Sequence, residues 1–326
     1  MKVVHLFSSK VFAGLERHIE ELSFEQSKNL DVLVIGASRF KKNFRGPYFE
    51  LKTNEWRYSP FLRNRINKAL SSFKPDIVHT HGYKMTDLIS KNLSNDYIHC
   101  STIHGTKKKI KAFEQSDFIF AASNASLKKT TQKSMVLENW VCEDRFRNFK
   151  KKQPKKFIFI GRLEVVKNPM RLLKAWLNCS AILDIYGEGP LKKKMQSYIE
   201  ENHLSNRVTM MGQQDDIYKA FQDASSLLIP SDREGSPKVL FESLYCNVPV
   251  LSTKAGIMSD LLPISCLSET DDISFTKLVK KWVNQTDKLY ESQKLLYQKV
   301  KLKNVLTAQE KEVRNVYQSL LSKASK

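Results

Sequence analysis

A chain of 326 residues, 41% hydrophobic and 27% charged, is too long for one ordinary core and too apolar for a disordered polymer, so two folded domains of roughly 150 residues each are expected. Its five scattered cysteines, Cys100, Cys142, Cys179, Cys246 and Cys266, argue against a disulfide framework and a cysteine zinc site, and no apolar run approaches the roughly 20 residues that cross a bilayer. The formal charge of +20, spread over both halves, implies attraction to nucleic acid, acidic lipid or a phosphorylated substrate, or a lysine-rich background on solvated faces.

The first apolar run, Val3–Phe7, is too short for a signal peptide and reads as a buried strand in a cytoplasmic protein. Further β-branched and aromatic runs follow at Val32–Ile35, Ile77–Thr80, His99–Ile103 and Phe118–Ala121. After Lys150-Lys151-Lys152-Gln153-Pro154-Lys155-Lys156, a charge-repelled segment with a proline that suits a linker, come Phe157–Ile160, Ile182–Tyr186, Val208–Met211, Leu227–Pro230 and Val248–Ser252. Amphipathic stretches separate the runs, which is the α/β alternation of parallel sheets with crossover helices. The expected domains are 1–150 and 155–306. Val313, Val316, Tyr317, Leu320 and Leu321 predict a closing amphipathic helix over about 307–322.

Three segments carry candidate chemistry. In Phe157–Pro169 a strand ends at Gly161, Arg162 and Lys167 follow, and Asn168 with Pro169 supplies an N-cap and first helical residue. Two cations at the carboxyl edge of a sheet suit a diphosphate, although each also reads as a surface charge. In Leu183–Pro190 a strand runs into Gly187-Glu188-Gly189, and these glycines either admit a ligand or simply make the turn. Lys192 stands where a dinucleotide fingerprint needs its third glycine, and there is no phosphate loop of the nucleotide-triphosphatase type. In Leu228–Thr253, Ser236 is read as the cap of a helix beginning at Pro237, with Glu234 on the loop and Glu242 inside the helix. Taken singly, the two glutamates also read as a cap and an exposed helix charge.

Together these segments resemble family 4 of the retaining GT-B glycosyltransferases. Glu234 and Glu242 in the context Glu-Gly-Ser-Pro-Lys-Val-Leu-Phe-Glu resemble its signature. Gly161-Arg162-Leu163 with Lys167, Tyr186-Gly187-Glu188-Gly189-Pro190 and Met211-Gly212 occur in the family's order. In the first half, Ala13-Gly14-Leu15-Glu16-Arg17-His18 resembles its glycine loop, and the segments ending in His79-Thr80-His81-Gly82 and Ile103-His104-Gly105 resemble its histidine-bearing strand ends. Ser123 and Asn139 fall near family positions. Ala13, Trp140 after Asn139, and Asp260 depart from the family's usual residues.

The resemblance implies a fold of two Rossmann-like domains facing across a cleft, with a final helix over about 307–326 returning to the first domain. It implies a hexosyltransferase that takes a UDP- or GDP-linked sugar to a saccharide or lipid-linked saccharide, with retention of configuration, in bacterial surface polysaccharide assembly such as lipopolysaccharide, capsule or exopolysaccharide. By position, Arg162 and Lys167 hold the diphosphate, Glu242 the ribose, and Glu234 with Gly235, Ser236 and Pro237 the donor sugar. Gly14, Gly187 and Gly212 belong to the same donor site, and His104 contacts the reacting sugar. His81, a strand-end histidine, is more often a satisfied packing residue. No Asp-x-Asp motif occurs, so no metal or other cofactor is expected. The basic charge points to an anionic membrane surface, with Lys107, Lys108, Lys109 and Lys111 as candidates and the inner face of the cytoplasmic membrane as location. The rival readings are a sugar-nucleotide 2-epimerase of the same fold and a basic nucleic-acid-binding protein, the latter without a recognisable binding motif.

Overall fold

The computed structural model describes the chain except residues 53–58, 92–95, 106–109, 128–129, 215 and 325–326. Lys107, Lys108 and Lys109 therefore lie outside the described residues, while Lys111 lies within them. Contacts divide the chain into two units, residues 1–139 with 306–326, and residues 140–305.

The first unit is built on β1 (Lys2–Phe7), β2 (Asp31–Ala37), β3 (Tyr48–Leu51), β4 (Ile77–His81), β5 (Ile98–Ile103), β6 (Phe118–Ala121) and β7 (Ser134–Val136). They form one parallel sheet in the order β3-β2-β1-β4-β5-β6-β7. The second unit has β8 (Lys156–Ile160), β9 (Ile182–Tyr186), β10 (Val208–Gly212), β11 (Ala224–Ile229), β12 (Val250–Thr253) and β13 (Leu267–Ser268) in the order β10-β9-β8-β11-β12-β13, again parallel. Helices on both faces bury the central strands, which is why β1 and β8 read as near-continuous apolar runs. In each sheet the strand order reverses beside the first strand, between β1 and β4 and between β8 and β11. The carboxyl ends of the strands at such a switch point leave a crevice for a ligand.

The expected linker is not the division between the units. Val141 and Phe146 are buried with Ile158, Phe221 and Phe241 in the second core. The backbone N–H groups of Lys152 and Lys155 donate to the carbonyls of Gln222 and Asp223 at 2.7 and 2.8 Å. Lys150, Lys152 and Lys155 are exposed, whereas Lys151 Nζ donates to the Ala224 carbonyl at 3.2 Å and Lys156 pairs with Asp184 at 2.7 Å, and the backbone beneath them is paired. The opposite face of that sheet buries Trp176 against Phe157, Leu172, Leu183 and Phe275, and burying each such side chain contributes about 1.5–3 kcal/mol.

The last helix, Leu306–Ala324, belongs to the first unit. Val313 and Tyr317 are fully buried, and the Tyr317 hydroxyl is hydrogen-bonded to His79 Nδ1 on β4.

Candidate active site

At the carboxyl edge of the second sheet, three turns lie side by side. Gly161 N–H donates to the Tyr186 carbonyl at 3.0 Å, and Gly187 N–H donates to the Gly212 carbonyl at 2.8 Å. A Cβ on Gly187, at φ +138°, comes within 2.0 Å of the Gly161 oxygen, and one on Gly189, at φ +158°, within 2.6 Å of the Leu163 oxygen. These glycines are therefore required by the backbone of the neighbouring turn as well as by their own left-handed conformations. Gly212 is likewise left-handed, at φ +66°.

Beyond Gly161 the chain makes a 3-10 turn, Val165–Lys167, and then Asn168 caps the helix Pro169–Trp176 by accepting the Arg171 N–H. Arg171, only 4% exposed, holds this corner. It donates to the Pro230 carbonyl at 2.7 Å, to Asp232 at 2.8 Å and to Asp272 at 3.1 Å, while the Asp232 N–H donates to the Val166 carbonyl at 3.0 Å. Hydrogen bonds from Lys174 and Arg171 hold the Asp272 carboxyl below the usual carboxylate range. The loops after β8 and β11 are thus fixed to each other by a buried guanidinium.

This fixing brings Lys167 and Glu234 together. Lys167 Nζ donates to both Glu234 oxygens at 2.6 and 2.7 Å, and Ser231 Oγ donates to one of them at 2.7 Å. The Glu234 side chain is 7% exposed and that of Lys167 23%. The loop is braced from behind: Ile257 N–H donates to the Gly235 carbonyl at 2.9 Å, and a Cβ on Gly256 meets the Gly235 and Glu234 carbonyl oxygens at 2.4 and 2.6 Å. Lys167 and Glu234, read from the sequence as contacts to different parts of one ligand, are one ion pair at rest. Arg162 is half-exposed and pairs with Glu164 at 2.7 Å.

Ser236 is not the helix cap. The helix is Lys238–Tyr245 with Pro237 in the capping position, in extended backbone at φ −69° and without a side-chain cap hydrogen bond. Glu242 lies one turn inside and is 7% exposed, so the exposed-helix-charge reading is set aside. Asp260 is exposed on the short helix Met258–Leu261.

Gly14 and His104 belong to the first unit. Gly14 opens the helix Gly14–Ser27, where Glu16 accepts the Ala13 N–H at 2.7 Å, and a Cβ there meets nothing within 4 Å. His104 follows β5 and is linked inward by a chain of imidazoles. His104 Nε2 lies 3.1 Å from His81 Nδ1, His81 Nε2 lies 3.0 Å from His5 Nδ1, and His5 Nε2 lies 2.7 Å from Gln26 Oε1. Because the amide oxygen only accepts, each ring donates through Nε2 toward the core. His18 Nδ1 lies 3.1 Å from Asn139 Oδ1. Burial pushes His5 down to about 4 and holds His79 and His81 well below the usual imidazole range, so these three rings are neutral. Arg171, Ser231, Asp232, Gly256 and the His5–Gln26 pair were not legible as site residues in the sequence; Arg171 resembles any helical arginine until Asp232 and Asp272 are placed beside it.

Two parallel α/β units of this strand order, each with a ligand-competent carboxyl edge, make up the GT-B fold class. Within that class the chain belongs to the group 1, family 4 glycosyltransferases: a model described as Glycosyl transferases group 1 matches residues 142–295, and one described as Glycosyltransferase Family 4 matches residues 12–133. It is 36% identical over 198 residues to the N-acetylgalactosamine-N,N'-diacetylbacillosaminyl-diphospho-undecaprenol 4-alpha-N-acetylgalactosaminyltransferase of Campylobacter jejuni, covering 59% of this chain and 47% of that one. It is 22% identical over 268 residues to the N-acetyl-alpha-D-glucosaminyl L-malate synthase of Bacillus anthracis, covering 69% and 70%. Against the curated relatives it matches, the chain spans from 28% to 70% of their length, and 37% in the case of an uncharacterized glycosyltransferase of Methanocaldococcus jannaschii. In fold it is similar to Anabaena Alr3699/HepE in complex with UDP, with a TM-score of 0.84 at 14% identity, covering 98% of this chain and all of the other. No helix of the described residues is long and apolar enough to cross a membrane.

Proposed function

We propose that this glycosyltransferase moves a sugar from a UDP-linked donor to a lipid-linked saccharide in the assembly of a bacterial surface polysaccharide, with retention of configuration and without a metal. GDP is the second choice of donor base. The observation that carries the reading is the Lys167–Glu234 pair, two opposite charges held with little water at the carboxyl edge of the second sheet. A site built this way holds an ammonium beside the place where charge develops on a departing diphosphate, already oriented before reaction. Lys167 and Arg162 are assigned to the diphosphate, Glu242 to the ribose hydroxyls, and Glu234 to the hydroxyls of the donor sugar. The amides of Gly235 and Ser236, with Pro237 fixing the turn, Gly14, and the turns at Gly187 and Gly212 are assigned to donor binding, and His104 to contact with the reacting sugar.

The choice of UDP is supported by the complex named for the Anabaena neighbour, and the acceptor by the printed activity of the Campylobacter relative, whose acceptor is a diphospho-undecaprenol saccharide. The excess positive charge suits an anionic lipid surface, and we place the chain at the inner face of the cytoplasmic membrane on that ground. The test is incubation of the purified chain with UDP-, GDP- and ADP-sugars, with and without diphospho-lipid acceptors, followed by mass spectrometry and NMR of the anomeric centre. A UDP-sugar transferred with retained configuration is expected. Conversion of the donor without acceptor into its 2-epimer, or an inverted product, refutes the reading.

A further inference from the structure

Six of the seven histidines of the chain lie in the first unit, and five of them touch. We propose that His18, His81 and His104 form a site for one divalent ion of the zinc class, and that occupation of this site withdraws His104 from transfer. One ring nitrogen of each lies within 4.8 Å of the other two. The ring of His104 is 4.7 Å from that of His18 and 5.3 Å from that of His81, centroid to centroid. Tetrahedral zinc with imidazole bonds of about 2.0–2.1 Å needs nitrogens roughly 3.4 Å apart. His81 Nδ1 and His104 Nε2 stand at 3.1 Å, so a rotation of side chains suffices.

The surroundings prepare these rings as ligands. A metal-bound imidazole almost always donates its other N–H to a fixed acceptor, which sets tautomer and orientation. His18 donates Nδ1–H to Asn139 Oδ1, which puts its lone pair on Nε2. His81 donates Nε2–H to His5 Nδ1, which is fixed in turn by Gln26, so its lone pair is on Nδ1 facing His104. The proton that His104 Nε2 donates toward His81 must leave that nitrogen before the ion binds there. His18 and His81 are buried while His104 is half-buried, so the ion enters from the His104 side and keeps a position for water.

An all-nitrogen set selects zinc, cobalt, nickel or copper over magnesium, manganese and calcium. The neighbouring set His5, His79 and His81 is already spent: His79 bonds Tyr317 and Thr102, and His5 bonds His81 and Gln26. Binding stands on this geometry alone; the effect on transfer rests on the role proposed for His104.

The experiment strips the full chain with EDTA, desalts it and titrates cobalt chloride while following the visible bands of low-coordinate cobalt, then displaces cobalt with zinc. One ion per chain is expected, with the band lost in His104→Gln, whose half-buried position tolerates the change, and no response to magnesium. Asn139→Ala should weaken the ion about 10–100-fold through loss of the acceptor that orients His18. His203→Ala, exposed in the second unit, should leave binding unchanged. Absence of the band, its survival in His104→Gln, or its loss in His203→Ala overturns the site. Zinc should inhibit transfer by the wild-type chain, with recovery on adding EDTA; full activity at saturating zinc overturns the second half of the proposal and leaves the assigned donor chemistry of the second unit standing.

Discussion

Replacing Glu234 with Gln keeps the shape of the side chain and removes its charge, so it tests whether the Lys167–Glu234 pair is both structural and catalytic. Removing one partner of a fully buried pair costs about 3–5 kcal/mol, because the other charge is stranded. Lys167 is 23% exposed, so water reaches the released ammonium, and Gln still offers an oxygen to Lys167 and Ser231. The remaining loss is that of charge-assisted hydrogen bonds, and about 2 kcal/mol is expected. Urea denaturation of the single variants Glu234→Gln and Lys167→Met and of the double variant measures it, with a coupling of about 1–2 kcal/mol between the two positions. The functional half is separate. Free UDP should bind Glu234→Gln at least as tightly as wild type, because Lys167 no longer shares its charge with the carboxylate, while turnover of the sugar donor falls. Glu242→Gln should instead weaken UDP by about 1.5–3 kcal/mol through the ribose. Unchanged stability with zero coupling shows that the pair contributes nothing; equal losses of UDP affinity in the two glutamine variants refute the division of roles.

Transfer should persist in excess EDTA, since Lys167 and Arg162 are assigned the charge that a metal otherwise carries; loss restored only by magnesium or manganese refutes this. Gly256→Ala should destabilise the chain by about 2 kcal/mol and lower turnover together, because its left-handed φ of +61° is unfavourable for alanine and its Cβ pushes on the Gly235 and Glu234 carbonyls; a wild-type melt and rate show that the brace is slack. Stability should fall as pH drops from the unfolded histidine value of about 6.5 toward the folded value of about 4 for His5. In that window the unfolded chain binds the proton and the folded chain does not, so His5 alone accounts for about 3 kcal/mol, and a urea midpoint flat between those pH values counts against a neutral core. Vesicles of anionic lipid should retain the chain at low salt and release it at high salt, and equal binding to neutral vesicles removes the electrostatic account.

How far the sequence could be read depended on whether each element is specified locally. The central strands were legible because burial on both faces demands unbroken apolar runs such as Val3–Phe7 and Phe157–Ile160. The edge strands β3, β7 and β13 were not, since strands of two to four residues carry too little pattern, as in Ser134-Met135-Val136 and Leu267-Ser268, whereas the longer edge strand β10 was legible as Val208–Met211. β11 begins at Ala224, three residues before the expected Leu227, because Ser225 and Ser226 conceal it, the Ser226 hydroxyl satisfying itself on the Pro249 carbonyl at 3.0 Å.

The candidate site divides along the same line. Asn168-Pro169 announced its helix because a cap and a first-turn proline act within three residues, whereas Ser236-Pro237 made the same announcement and was overruled. The Glu234–Gly235 backbone is tied to Gly256 and Ile257, about twenty residues on, so a distant close approach, not the local cap preference, sets its conformation. Tertiary ties of that kind are also what convert charges into a site. Arg171 reaches Asp232 and Asp272 across 61 and 101 residues of sequence, and Lys167 reaches Glu234 across 67. Each is an ordinary charged residue in its own window. Their chemistry exists only once the parallel sheet sets the loops after β8 and β11 side by side, which makes the buried guanidinium of Arg171 the point at which fold and candidate site are joined. Loss of that guanidinium should therefore loosen the Lys167–Glu234 corner although Arg171 is assigned no contact with the donor.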